Sequence, residues 1–128
     1  MHEQNPSFDL HGYSTDTAIW ITHIWTREAW EHGCLSITFL HGAASVAEPP
    51  SNGRNGGRGA VKWALRQAVR AGEFAPYAVR KNKKHQLLPG KLTLFLQTCP
   101  DPHPEGGWTA APPPDYPDSE KQRFPQLF

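Results

Sequence analysis

Residues 7–42 read SFDLHGYSTDTAIWITHIWTREAWEHGCLSITFLHG and place a long amphipathic segment between two short β-rich segments. The tripeptide Leu-His-Gly follows each β-rich segment, at Leu10–Gly12 and again at Leu40–Gly42. A strand-helix-strand crossover makes its two strands parallel in nearly all cases. Parallel strands share one carboxyl edge, so we expect His11 and His41 to emerge at the same edge of one sheet, where open sheets place their ligand crevices.

The segment between the two tripeptides has the signals of a helix. Ser14 is a good N-cap, Asp16 lies favourably in the first turn, and Gly33 is suited to end the helix. The apolar residues in between recur at helical spacing, namely Ala18, Ile21, Trp25 and Ala29. We therefore predict a helix of roughly four to five turns. It connects a first strand, SFDL, to a second strand over residues 34–40.

The sequence after residue 42 predicts a second helix and two further strands. Residues 43–57, AASVAEPPSNGRNGG, have the composition of a loop insertion, and RGAVKWALRQAVRAG then shows an apolar face at helical spacing. FAPYAVRKN and GKLTLFLQ have the composition of paired strands joined by the basic connector KNKKHQLLP. The prediction is an α/β fold of the order βαβαββ, a two-layer sandwich with a mixed four-stranded sheet and two helices on one side.

The composition predicts one domain, residues 1–99, and a Pro-rich tail, residues 100–128. The tail has too few aliphatic residues for a core of its own, so we expect it to be disordered or to wrap the surface. No apolar run approaches the roughly 20 residues that span a bilayer, and the N-terminus has no signal-peptide pattern. We expect a cytoplasmic protein without membrane contact, in which Cys34 and Cys99 are free thiols rather than a disulfide.

The net charge of +1 hides a basic middle region between acidic ends. Between Arg54 and Lys91 there are ten Lys and Arg residues but a single acid, Glu73. The candidate nucleic-acid-binding residues of this region are Gly57, Arg58, Gly59, Lys62, Arg66, Arg70, Arg80, Lys81, Lys83 and Lys84. Such clustering favours contact with the phosphates of a polyanion without sequence readout, and a solvated helix face is the alternative.

Three features together resemble the Smr (small MutS-related) domain family: Phe8-Asp9-Leu10-His11-Gly12, the later His41-Gly42, and the Gly-plus-basic start of the second helix. The resemblance covers roughly residues 7–98. It implies nucleic-acid binding and endonuclease activity, either nicking DNA or cutting RNA, with RNA favoured as partner and the ribosome as a further candidate. In the family the basic segment directly follows the second His-Gly, whereas residues 43–57 intervene in this chain.

Phosphodiester cleavage needs a base for the nucleophile, an acid for the leaving oxygen and cations for the phosphate. His11 and His41 suit the first two roles near neutral pH, Asp9 can orient an imidazole or the nucleophile, and Arg58 can bind the phosphate. On RNA the 2′-hydroxyl is the nucleophile, and no cofactor is required.

Two alternatives stay open for these residues, and two for the function of the protein. Asp9, His11 and His41 could form a partial ligand set for a divalent metal. The histidines could simply hydrogen-bond neighbouring loops, as single histidines commonly do. The protein could also be a non-catalytic nucleic-acid-binding module, or an adaptor that acts through its Pro-rich tail.

Overall fold

A computed structural model describes residues 5–42, 59–79, 86–87 and 90–114. The elements in chain order are β1 (Ser7–Asp9), α1 (Thr15–Glu31), β2 (Ser36–Leu40), α2 (Ala60–Arg70), β3 (Gln86–Leu87) and β4 (Lys91–Phe95). Two helices and a mixed sheet make this an α/β fold, as the sequence predicts. The predicted insertion at 43–57 lies outside the described residues.

The sheet is built around β2. Strand β1 pairs with β2 in parallel, and β4 pairs antiparallel with the other side of β2. The two-residue segment β3 pairs antiparallel with the outer side of β4, which sets the order β1-β2-β4-β3. The predicted parallel crossover from β1 through α1 to β2 is confirmed, so the carboxyl ends of β1 and β2 lie at one edge of the sheet.

Helix α1 begins and ends at the predicted signals. The hydroxyl oxygen of Ser14 accepts a hydrogen bond from the Thr17 N–H at 3.3 Å, which satisfies one of the free N–H groups of the first turn. Gly33 follows the helix with a φ of +83°, a left-handed conformation that glycine adopts without steric cost. The predicted apolar stripe is buried: Ala18, Ile21, Trp25 and Ala29.

One hydrophobic core joins the helices to the sheet. Phe39 of β2 lies opposite Leu92 of β4 and Ile37 lies opposite Leu94, and all four are buried. Leu65 of α2 belongs to the same cluster. Full burial of a side chain of this size stabilises the fold by about 1.5–3 kcal/mol. Of the helices in the described ranges, neither is both long and apolar enough to cross a membrane.

The strand predicted for FAPYAVRKN is wrong over its first half. Residues 71–77 form consecutive turns, and Ala78 makes a single antiparallel bridge to Leu96. Gly72 takes a φ of +78° after α2, and Pro76 has no N–H to donate to a strand ladder. The residues that pair with β4 are instead Gln86–Leu87, inside the predicted connector, whereas β4 itself lies in GKLTLFLQ as predicted.

Residues 100–114, here named the C-terminal strap, lie along α1. The His103 N–H donates to the Glu31 carbonyl at 2.8 Å, and the indole Nε1 of Trp25 donates to the Thr109 carbonyl at 3.0 Å. Surface wrapping, rather than disorder, therefore describes this part of the predicted tail. Residues 115–128 lie outside the described part of the chain.

Candidate active site

The ends of β1 and β2 carry the two histidines, but not side by side. The parallel register sets Asp9 opposite Leu40. Continued past the strand ends, it sets His11 opposite Gly42 rather than opposite His41. In agreement, the His11 Nε2 atom lies 3.9 Å from the position that a Cβ atom would take on Gly42. The two Leu-His-Gly tripeptides therefore share one edge, displaced by one residue.

Core packing accounts for this displacement. Phe8 lies opposite Phe39, and their ring centroids are 6.3 Å apart. Aligning the two tripeptides would instead set Phe8 opposite Thr38. A slip of one residue moves every side chain of a strand to the other face of the sheet, which would take the Phe8 ring out of the core.

Asp9 and His11 form a hydrogen-bonded pair at the end of β1. One oxygen, Oδ1 of Asp9, accepts from the His11 backbone N–H at 2.9 Å and lies 2.5 Å from the His11 ring Nδ1. Burial raises the pKa of Asp9, but the two hydrogen bonds and the charge of His11 outweigh it, so this pKa lies below its ordinary 3.8. Both side chains are more than half exposed. With Nδ1 directed at the carboxylate, Nε2 of His11 is left to meet a substrate.

His41 has a different environment. It is partly buried, and its Nδ1 lies 2.8 Å from the Gly42 carbonyl oxygen, to which it can donate. Burial lowers the pKa of His41, and the positive charges of Lys62 and Arg66 lower it further against the opposing hydrogen bond to Gly42. The net pKa lies below the ordinary 6.5. The uncharged form of His41 is therefore favoured, and in that form Nε2 can accept a proton, as a general base must.

The basic residues of α2 are not a uniformly exposed stripe. Gly59 caps the helix with a φ of +78°, and Lys62, one turn further on, is only 4% exposed. Arg66 is partly buried, and Arg70 is exposed. The interpretation as a solvated helix face is thus wrong for Lys62, whose charge acts on His41. As a direct contact for an extended polyanion, Arg70 is better placed than Lys62.

Several predicted site residues lie outside the described residues: Gly57, Arg58, Arg80, Lys81, Lys83 and Lys84. Within the ranges that are described, no group of three or more His, Cys, Asp or Glu side chains could hold a metal ion. Asp9, His11 and His41 are accordingly not brought together as three metal ligands. The structure joins Asp9 to His11, whereas His41 is affected by the charges of Lys62 and Arg66.

Sequence reasoning did not identify Lys62 and Arg66 as the charged neighbours of His41. The signal was present, because α2 is the next helix after β2 in an α/β fold and is expected to begin at the sheet edge where β2 ends. Nothing in the sequence indicated that Gly42 would leave the space beside His11 free of a side chain, because this depends on the displaced register. Searches against family models, curated proteins and solved structures found no match to this chain.

Proposed function

We propose that this protein is an Smr-like nucleic-acid-binding endonuclease that cleaves phosphodiester bonds, with RNA favoured over DNA. One observation carries the proposal. Two neighbouring parallel strands each end in an imidazole at the same sheet edge, and the two imidazoles have opposite electrostatic partners. Asp9 is hydrogen-bonded to His11, and the charges of Lys62 and Arg66 act on His41. The resemblance further implies the two-layer sandwich of four strands, in which Gln86–Leu87 supplies the outer strand.

The unequal partners suit the two proton transfers of the reaction. His41, kept neutral by burial and by Lys62 and Arg66, accepts the proton of the attacking hydroxyl. His11 in its protonated form donates a proton from Nε2 to the leaving oxygen, while Asp9 holds Nδ1 and stabilises the imidazolium. On RNA the attacking group is the 2′-hydroxyl, and the products are a 2′,3′-cyclic phosphate and a free 5′-hydroxyl.

The phosphate has a natural position over Gly42. Glycine leaves the space beside His11 Nε2 free of a side chain, and His41 precedes Gly42 directly in the chain. Neighbouring strands lie about 4.8 Å apart, so a phosphate over Gly42 lies beside His11 and one residue from His41 in the chain. Arg66, whose charge acts on His41, supplies positive charge for the phosphate oxygens, on which negative charge develops.

A cleavage assay tests the proposal. Labelled single-stranded and structured RNA and supercoiled DNA are incubated with wild-type protein and with an Asp9→Ala, His11→Ala double variant, in the presence and absence of EDTA. We expect wild type to cut RNA with a cyclic phosphate end, the double variant to bind but not cut, and EDTA to leave cutting unchanged.

Other outcomes identify the competing functions. Equal, salt-dependent binding by both proteins without any cutting identifies a non-catalytic nucleic-acid-binding module. Cutting that EDTA abolishes identifies a metal-dependent reaction and overturns the two-histidine mechanism. No salt-dependent affinity for any nucleic acid overturns the proposal altogether and favours a protein-protein adaptor.

A further inference from the structure

The C-terminal strap contacts the chain at both ends of α1, each time through a proline of the strap and a glycine that flanks the helix. At the C-terminal end of the helix, Pro102 lies against Gly33, and a Cβ atom on Gly33 would be 3.0 Å from the Pro102 Cβ. At the N-terminal end, Pro114 lies against Gly12 in the same way, at 3.3 Å. Both glycines have a left-handed φ and present bare backbone to a proline ring. The strap thus runs the length of α1 and ends at the turn that follows His11.

Between its ends the strap is held by a buried carboxylate. Glu28 is only 8% exposed, and its carboxylate accepts hydrogen bonds from the Thr109 N–H, at 2.8 Å, and from the Thr109 hydroxyl. The Trp25 indole donates to the carbonyl of the same Thr109. Trp108 packs on Phe8 of β1 with ring centroids 5.3 Å apart. A carboxylate buried on α1 needs such donors, so the strap is an integral part of the packing.

The last contact before the strap reaches Gly12 is made by Tyr13. Its hydroxyl donates to the Pro112 carbonyl at 2.8 Å, and its ring is partly buried against the core. Tyr13 lies two residues after His11 and one after Gly12. Two strap residues, Pro112 and Pro114, therefore contact the short turn that bears the Asp9–His11 hydrogen bonds.

We propose that Tyr13 is a positioning residue for the reaction and that the strap is part of the active-site framework. Its hydrogen bond to Pro112 fixes the turn at Gly12 and thereby holds the His11 ring on Asp9, with Nε2 directed toward Gly42. The proposal rests on the proposed function for its effect on cleavage. Its effect on the geometry of His11 is independent of any activity.

The experiment compares full-length Tyr13→Phe with wild type. Phenylalanine keeps the ring in the core and removes only the hydroxyl. The matched control is Tyr77→Phe, the same change at a half-buried ring that packs at a tilt against Trp30 near the opposite edge of the sheet. Thr109→Val is a second test variant, because it loosens the strap at Glu28 without altering Tyr13.

Two measurements are made on each protein. The first measurement determines kcat and KM separately, on the RNA that wild type cuts. We expect a loss of about tenfold in kcat for Tyr13→Phe with KM nearly unchanged, and a smaller loss of the same kind for Thr109→Val. The second is the ¹⁵N chemical shifts of the His11 ring, which report its tautomer and its bond to Asp9. These shifts should move in both variants and stay at wild-type values in Tyr77→Phe.

The two proposals fail separately. If wild type cuts no nucleic acid but the His11 ring shifts move in Tyr13→Phe, the proposed function is wrong and the positioning role stands. If Tyr13→Phe and Thr109→Val keep the wild-type kcat and the wild-type ring shifts, the positioning role is wrong whatever the activity. A fall in kcat that Tyr77→Phe reproduces also overturns it, because the effect is then one of general stability.

Discussion

The Nε2 atom of His11 lies 3.9 Å from the place of a Cβ atom on Gly42, so the imidazole of β1 faces the glycine of β2 and not its histidine. The repeated tripeptide suggests two equivalent histidines, and the register makes them unequal. One imidazole is exposed and bonded to a carboxylate. The other is partly buried, and the charges of two cations lower its pKa. An acid and a base that must differ in protonation state at one pH need such a difference in surroundings.

Gly42→Ala should abolish most cleavage at a modest cost in stability. Its φ of +96° is unfavourable for alanine, and the new methyl group occupies the proposed phosphate position beside His11. We expect a loss of about 1–2 kcal/mol in the free energy of unfolding. Gly72→Ala is the control, since Gly72 has a φ of +78° and nothing within 4 Å of its Cβ position. Urea denaturation should give similar losses for both, and the RNA assay should separate them.

Asp9→Asn should reduce cleavage at least tenfold, because an amide no longer stabilises the His11 imidazolium. The chain contains a matched control with the same spacing, Asp101 and His103, whose side chains lie 3.6 Å apart and are largely exposed. Asp101→Asn should leave kcat at the wild-type value. Equal effects of the two substitutions would show that the Asp9–His11 pair has no catalytic role.

Lys62→Met should raise the pKa of His41 by removing one of the two charges that lower it. The acid limb of the pH–rate profile should then move to higher pH, because His41 must be neutral to act as the base. An NMR titration of the His41 ring measures the same change directly. Arg70→Met, on the exposed end of the same helix, should leave this titration at its wild-type midpoint.

The same lowered pKa predicts how stability depends on pH. His41 releases its proton more readily in the folded chain than in the unfolded chain, whose histidine titrates near 6.5. Its contribution to stability is therefore complete above pH 6.5 and is lost as the pH falls through the folded-state pKa. Urea denaturation over this range should show a weaker dependence on pH in His41→Asn than in wild type.

Glu28→Gln should destabilise the fold by about 1–3 kcal/mol, because the amide weakens or loses hydrogen bonds that the buried carboxylate accepts from Thr109. Glu31→Gln is the control. Glu31 is about half exposed and pairs with Arg27 at 3.7 Å, four residues earlier on the helix. Such a pair contributes only about 0.3–0.5 kcal/mol. Equal losses of unfolding free energy in chemical denaturation would mean that the hydrogen bonds between Glu28 and the strap do not stabilise the fold.

The α1 segment and the crossover could be predicted because their signals are local. Ser14, Gly33 and the stripe from Ala18 to Ala29 each determine their own part of the helix, and the crossover rule then makes β1 and β2 parallel. The histidines could be placed at one edge by this argument. The register could not be predicted, because it depends on which aromatic rings meet in the core, here Phe8 and Phe39.

The composition of the sequence was misleading for two further features, the turns at residues 74–77 and the C-terminal strap. Residues 74–79 have the aromatic and β-branched content of a strand, but the turns around Gly72 and Pro76 leave only the Ala78 bridge. The strap is rich in proline and poor in aliphatic residues, as disordered tails are. Its attachment depends on Thr109 meeting a carboxylate on a distant helix, and Glu28 alone gives no hint of that partner.

The strap also places constraints on the order in which the chain folds. Glu28 and Thr109 are 81 residues apart in the sequence, and Tyr13 and Pro112 are 99 apart. Contacts of such separation close large loops and form late in folding. During synthesis, β1 and α1 leave the ribosomal tunnel long before the strap does, so the Glu28 carboxylate stays hydrated until Thr109 arrives. The rings of Phe8 and Trp25, which stack with centroids 4.1 Å apart, likewise lack the covering ring of Trp108. The contacts that Pro112 and Pro114 make with the turn beside His11 can form only after residue 114 has been made.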